Sequence, residues 1–178
     1  MTSDGLARRL AERALLHGDF VLRSGRHSSV YLDKYRFETD PSLLRPLAEA
    51  LAVEASRVEP AAERLAGPEL GAVPLVTALA LELARPFVIV RGQAKEYGTA
   101  NRLEGVFEPG ERVLLVEDIV TSGGAALEAV FALREAGLTV EHALCVLDRE
   151  EGGNEALAAV RVTLHPLFLR ADLGLDSA

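Results

Sequence analysis

The chain of 178 residues has no tryptophan, one methionine, one cysteine and only 5% aromatic residues. A single cysteine excludes an internal disulfide framework. Cys145 lies in the apolar run Ala-Leu-Cys-Val-Leu, where an inert buried thiol is expected rather than a nucleophile. No uncharged apolar stretch approaches the roughly 20 residues of a bilayer-spanning helix. Near the N-terminus Arg8, Arg9, Glu12 and Arg13 stand where a signal peptide would have its apolar core. The expected location is therefore the cytoplasm. Positive charge is scarce as well: 19 Lys and Arg face 27 Asp and Glu, for a net charge of −8. With no basic run and no zinc-finger spacing, a general nucleic-acid surface is excluded. The four histidines, His17, His27, His142 and His165, do not form a metal-ligand pattern.

What is present is a hydrophobic share of 49%, enough for one globular domain with a substantial core. Leu6, Leu10, Ala14 and Leu15 recur at helical spacing, and His17-Gly18 reads as the stop. Segments 20–26 and 30–37 read as two short strands around a Ser-Gly turn. Asp40-Pro41 is an N-cap with proline at the first helical position, and Leu44, Leu47, Ala48, Leu51 and Ala55 form the apolar face that follows. A short strand should precede the loop Gly67–Pro74, with Leu75, Val76, Leu79 and Leu83 lining the helix behind it. Segments 86–91, 112–116 and 142–147 read as buried strands, and 126–136 as a helix ending at Gly137. Strands alternating with helices imply an α/β fold with a mostly parallel sheet covered on both faces.

The most informative stretch is Val113 to Ala125, Val-Leu-Leu-Val-Glu-Asp-Ile-Val-Thr-Ser-Gly-Gly-Ala. A buried strand would carry Glu117 and Asp118 to its carboxyl end, with a small hydroxyl-and-glycine turn at a helix N-terminus beyond them. Such a turn offers backbone N–H groups to an anion, and two carboxylates suit sugar hydroxyls. The plainer account is a strand-to-helix loop with solvated acids. Gly-x-Gly-x-x-Gly is absent after a strand, and no Lys-Ser or Lys-Thr follows the glycines, so neither a dinucleotide fingerprint nor a Walker loop is present. The polar segment Gly92–Arg102 has no hydrophobic period and carries Lys95 and Arg102, with Arg91 at its start. Alone it reads as an exposed cationic hairpin; beside a phosphate site it reads as a lid. Lys34 is expected to be a solvated surface residue.

The Val113–Ala125 segment resembles the signature of the type I phosphoribosyltransferase family, whose members use 5-phosphoribosyl 1-diphosphate (PRPP). Further stretches resemble its orotate phosphoribosyltransferase branch: Leu22-Arg-Ser-Gly-Arg26 leading to Tyr31-Leu-Asp33, the Gly67–Pro74 loop, Arg91-Gly-Gln-Ala-Lys-Glu-Tyr-Gly98 before Glu104-Gly105, and Leu147-Asp-Arg149. The resemblance implies a twisted, mostly parallel sheet flanked by helices in a single domain over 1–178. A small hood would come from roughly 1–37 and the C-terminal segment, and a PRPP-binding core from roughly 41–150. It implies that Glu117 and Asp118 hold the ribose hydroxyls and that Thr121, Ser122, Gly123, Gly124 and Ala125 cradle the 5-phosphate, with Ile119 and Val120 leading into that turn. It implies Arg23, Arg91, Gly92, Lys95 and Tyr97 at the diphosphate, with Lys95 catalytic beside Glu117 and Asp118. Tyr31, Leu32, Thr121 and Arg149 would meet orotate.

Mg²⁺ would be bound mainly through PRPP, with no direct protein ligand. A homodimer would form, with loop 92–102 covering the neighbouring site. Two positions depart from the branch: Gly92 stands where many members have lysine, and Tyr97 where they have histidine. Gly92 offers no cation and Tyr97 only a hydrogen bond, so the diphosphate has less positive charge than usual and Mg²⁺ must carry more. The reaction implied is transfer of the phosphoribosyl group from PRPP to orotate, giving orotidine 5′-phosphate and diphosphate in pyrimidine synthesis. The rivals are a phosphoribosyltransferase for another base, a PRPP-binding regulatory protein without turnover, and a plain nucleotide-binding α/β module.

Overall fold

A computed structural model describes residues 3–21, 25, 27–92 and 102–175. The chain runs through α1 (Ser3–Ala14), β1 (Leu15–Val21), β2 (His27–Leu32), α2 (Tyr35–Glu38), α3 (Pro41–Val58), β3 (Arg64–Pro68), α4 (Ala72–Leu83), β4 (Phe87–Val90) and β5 (Leu103–Glu104). It continues through β6 (Arg112–Val120), α5 (Gly124–Glu135), β7 (Thr139–Asp148), α6 (Gly153–Ala159), β8 (Thr163–Leu169) and a 3₁₀ turn (Ala171–Leu173).

Six strands form one sheet in the order β5-β4-β3-β6-β7-β8, and β1 and β2 form a separate antiparallel pair. Strands β4, β3, β6, β7 and β8 are parallel; β5 joins the edge antiparallel to β4. Side chains alternate across a strand, so β6 feeds two cores. Leu114 and Val116 pack with Leu47, Leu51, Leu75 and Leu79 of α3 and α4. Leu115 packs with Val130 and Leu133 of α5 and with Cys145, which is fully buried. Burial raises the Cys145 thiol well above its ordinary pKa, as an inert core thiol requires. The N-cap expected at Asp40 is present: its Oδ1 accepts from the Ser42 amide at 2.9 Å, ahead of Pro41 in the first turn of α3.

Three expectations need correction. The first helix stops at Ala14, so His17 and Gly18 lie within β1 and end no helix. Pairing of Leu15 with Leu32 and of Leu16 with Tyr31 decides this, overriding the local helical period. The second strand ends at Leu32. Residues 35–38 turn helical and seat Phe37 in the core, where it is fully buried. Strand β6 extends beyond Val116 through both acids to Val120, and α5 begins at Gly124.

Candidate functional site

The carboxyl ends of β3, β4, β6 and β7 open on one edge of the sheet, where open parallel sheets bind ligands. Strand β6 delivers Glu117 and Asp118 here, 5% and 3% exposed. Adjacent strand residues point to opposite faces, and these two serve different surroundings. Glu117 lines a small cavity of about 40 Å³ with Ile119, Val120, Thr121, Gly123, Gly124 and Ala125. Gly123 caps α5 with φ +80°, a left-handed turn that glycine adopts without steric cost. The first cap bond of α5 runs from the Leu127 amide to the Gly123 carbonyl, so the amides of residues 124–126 head the helix without i−4 partners. A phosphate in this turn would meet those donors and the positive end of the helix dipole.

Asp118 looks the other way. Its Oδ2 accepts from Lys34 Nζ at 2.5 Å, and its Oδ1 from the Ile119 amide. Lys34 is therefore not the solvated surface cation expected from sequence: it sits at the start of α2 and reaches the site. The pair rests on Gly71, at the start of α4. A Cβ there would overlap both Asp118 Oδ2 and Lys34 Nζ. Glu38, at the end of α2, is 1% exposed, and its carboxyl has no well-formed hydrogen bond although Asp118 lies within reach of it.

The electrostatics follow from this crowding. Burial, and then the neighbouring Asp118 charge, raise Glu117 to about 8. Burial, and then Asp118, raise Glu38 to about 9. Desolvation pulls Lys34 down, but its hydrogen bond and charge pairing with Asp118, joined by the charges of Glu38 and Tyr35, raise it overall. Asp118, Glu38 and Lys34 thus crowd one face of β6, while Glu117 lines the glycine turn on the other.

Arg149 follows β7, and its amide donates to the Val120 carbonyl at 2.8 Å, which fastens the Leu-Asp-Arg segment to the end of β6. Its guanidinium pairs with Glu151 at 2.9 Å. Arg91 leaves β4 between two acids, Glu69 at 3.9 Å and Glu104 at 3.6 Å, and its amide donates to the Arg102 carbonyl. Gly92 donates its amide to Glu69 at 3.0 Å. Tyr31 and Leu32 lie on β2, Tyr31 with its ring 5.5 Å from that of Phe20 and half exposed. Arg23, Lys95, Tyr97 and the loop between Gly92 and Arg102 lie outside the described residues.

The structure therefore gathers Glu117, Asp118, the Thr121–Ala125 turn and Arg149 at one edge, with Arg91 and Gly92 two strands away at the end of β4. Sequence reasoning missed Glu38, Gly71 and the part played by Lys34. The four-residue spacing of Lys34 and Glu38 was the available signal, hidden because this segment reads as strand. A wider cleft of about 470 Å³, lined by Arg13, Tyr35, Arg36, Thr39, Asp40 and Pro41, contains none of the predicted site residues.

The phosphoribosyl transferase domain family matches residues 62–168. The chain is 52% identical to the orotate phosphoribosyltransferase of Natronomonas pharaonis over 92% of its own length and 91% of the relative's. It is 49% identical to that of Halobacterium salinarum over 97% and 96%. Among solved structures, the Mycobacterium tuberculosis orotate phosphoribosyltransferase in complex with Fe(III) dicitrate superposes with a TM-score of 0.87 at 31% identity, covering 97% of this chain and 99% of that one. The same enzyme in complex with PRPP superposes at 0.83 with 28% identity, over 97% and 99%. Fold, signature turn and relatives agree: the chain belongs to the orotate phosphoribosyltransferases of the type I phosphoribosyltransferase family.

Proposed function

We propose that the carboxyl edge of this sheet binds PRPP and orotate and transfers the phosphoribosyl group between them, releasing diphosphate. The observation that carries the reading is the end of β6: a buried carboxylate opening on a glycine turn at a helix N-terminus, with Arg149 fastened alongside. The 5-phosphate sits on the amides and hydroxyls of the Thr121–Ala125 turn. Glu117 and Asp118 accept hydrogen bonds from the ribose hydroxyls. Arg149 leaves Glu151 and grips the orotate carboxylate, a bidentate task suited to a planar guanidinium. Tyr31 and Leu32 cover the base, and Thr121 lies beside it.

No covalent nucleophile is required. A ring nitrogen of orotate attacks the anomeric carbon as the C–O bond to diphosphate breaks, and the bonding pair leaves with the diphosphate. The ribose passes through an oxocarbenium-like state, which the negative charge of Asp118 favours, joined by that of Glu117 once it releases its proton. Lys95, Arg91 and Arg23, with a hydrogen bond from Tyr97, meet the charge growing on the departing oxygens. Arg91 swings from Glu69 and Glu104 to do so; Gly92 contributes only backbone.

Among the described residues no group of three or more His, Cys, Asp or Glu could hold a metal ion. We place Mg²⁺ on substrate phosphates and water, the usual manner in which this hard cation is held beside phosphates. Mg²⁺ on PRPP supplies neutralisation of diphosphate charge. The working form is a homodimer whose loop 92–102 covers the neighbouring site. Among the described residues no helix is long and apolar enough to cross a membrane, and we place the enzyme in the cytoplasm.

Diphosphate release, assayed with orotate, uracil, adenine and hypoxanthine, tests the reading. Turnover with orotate alone is expected. Turnover with another base instead reassigns the substrate, and PRPP binding without turnover on any base indicates a regulatory protein.

A further inference from the structure

Asp118 is already occupied before a pentose arrives. Its Oδ2 accepts from the Lys34 ammonium at 2.5 Å and its Oδ1 from the Ile119 amide, which fills two of the roughly four acceptor positions of a carboxylate that is 3% exposed. Gly71 closes the third side, since the ion pair occupies the space where a Cβ would stand. Lys34 is the exposed member of the pair, its side chain 34% exposed against 5% for Asp118, so a ribose hydroxyl that takes the outer Oδ2 position displaces the ammonium. One turn along α2 lies Glu38, a buried carboxyl with no well-formed hydrogen bond on either oxygen and within reach of Asp118. Residues four apart share a helix face, and the Glu38 amide donates to the Lys34 carbonyl at 3.1 Å, so both side chains extend from one turn towards Asp118.

We propose that Lys34 is a place-holding cation which passes from Asp118 to Glu38 when the ribose diol of PRPP binds, making Glu38 a positioning residue for the pentose carboxylate. This rests on the site reading above. In the free enzyme burial first, and then Asp118 through its charge and a hydrogen bond, favours the protonated form of Glu38. The other charged groups acting on it are Lys34 and Asp33, from its own segment. The exchange balances as follows. The Lys34 ammonium leaves the Asp118 carboxylate, the ribose hydroxyls donate to that carboxylate, Glu38 loses its proton to solvent, and the ammonium pairs with the new Glu38 carboxylate. One proton is released for each PRPP bound, beyond any that PRPP itself exchanges. The Glu38 carboxyl thereby acquires a purpose: it lowers the cost of clearing Asp118.

Glu38→Gln separates this role from a structural one, because the amide mimics the protonated carboxyl of the free enzyme but cannot become an anion. Calorimetric titration of Mg-PRPP into the wild type and the variant, in two buffers of different ionisation enthalpy, reads both affinity and protons. The wild type is expected to release about one proton more than Glu38→Gln, and the variant to bind PRPP several-fold more weakly with its melting temperature at pH 7 unchanged. In a Lys34→Met background, where Asp118 has no cation to shed, Glu38→Gln should have no further effect on affinity. Equal affinity and equal proton release in wild type and Glu38→Gln overturn the exchange, as does an affinity loss that persists without Lys34. Failure of the wild type to bind PRPP overturns the site reading first and the exchange with it.

Discussion

The two edges of the central sheet treat charge in opposite ways. At the amino edge the arginines that open β3 and β6 have acids beside them: Arg64 Nε and Nη2 donate to the two oxygens of Glu111 at 2.6 and 2.8 Å, and Arg112 Nη2 reaches Glu59 at 3.2 Å and Glu141 at 2.7 Å. The Arg64 contact holds Glu111 below the ordinary carboxylate range, so this pair settles its own charges. At the carboxyl edge, Glu117 and Glu38 are raised, Lys34 serves Asp118 beside Glu38, and Glu38 has no well-formed hydrogen bond. A fold that can pair charges at one edge leaves them unpaired at the other only where something else is to pair them.

Lys95→Ala breaks the comparison most severely if it is right. Turnover should fall about 100-fold or more, the scale of one lost transition-state donor, while the melting temperature stays put. Steady-state kinetics with a thermal melt checks this, and unchanged kcat removes Lys95 from the mechanism. Arg64→Ala is the mirror experiment. Losing its charged hydrogen bonds to Glu111 should cost about 1–3 kcal/mol in urea denaturation, with kcat/KM for both substrates retained.

Arg149→Ala sharpens the carboxyl edge. KM for orotate should rise about tenfold or more, one charge-assisted bond being worth about 1.5–3 kcal/mol, and KM for PRPP should move far less. Equal effects on both would remove base recognition from this residue.

Glu117→Gln gives the smallest and most conditional effect. The folded carboxyl titrates at about 8, above its ordinary 4.5. Between those values the folded chain keeps a proton that the unfolded chain has lost, so stability declines as pH rises from about 4.5 and levels above about 8. The variant should melt near the parent at pH 5, above it at pH 8.5, and lose activity at both. Glu38 adds a slope of the same sign, which this substitution leaves in place. A parent and variant whose difference does not change with pH would show that Glu117 is not held protonated.

The parts legible in the sequence are those fixed by local pattern. The apolar run, the acids and the glycine turn of 113–125 are contiguous, so a reader of residues finds β6, the turn and α5 together, as also the N-cap at Asp40 and the buried Cys145. The hidden parts depend on partners distant in sequence. Whether 15–18 continues a helix or begins a strand is decided by Tyr31 and Leu32 across the hairpin. Lys34 pairs with Asp118, 84 residues away, over a glycine from a third element. No periodicity reports that meeting, and the short helix that arranges it has too few residues to leave a pattern.

The central claim, that the carboxyl edge awaits a phosphorylated pentose, is tested most directly by titrating PRPP with magnesium into the folded wild-type chain by calorimetry. The account predicts saturable binding at one site per chain, abolished or strongly weakened by Asp118→Asn in a chain that still melts cooperatively. Absence of binding by well-folded protein, or binding that Asp118→Asn leaves untouched, would contradict it.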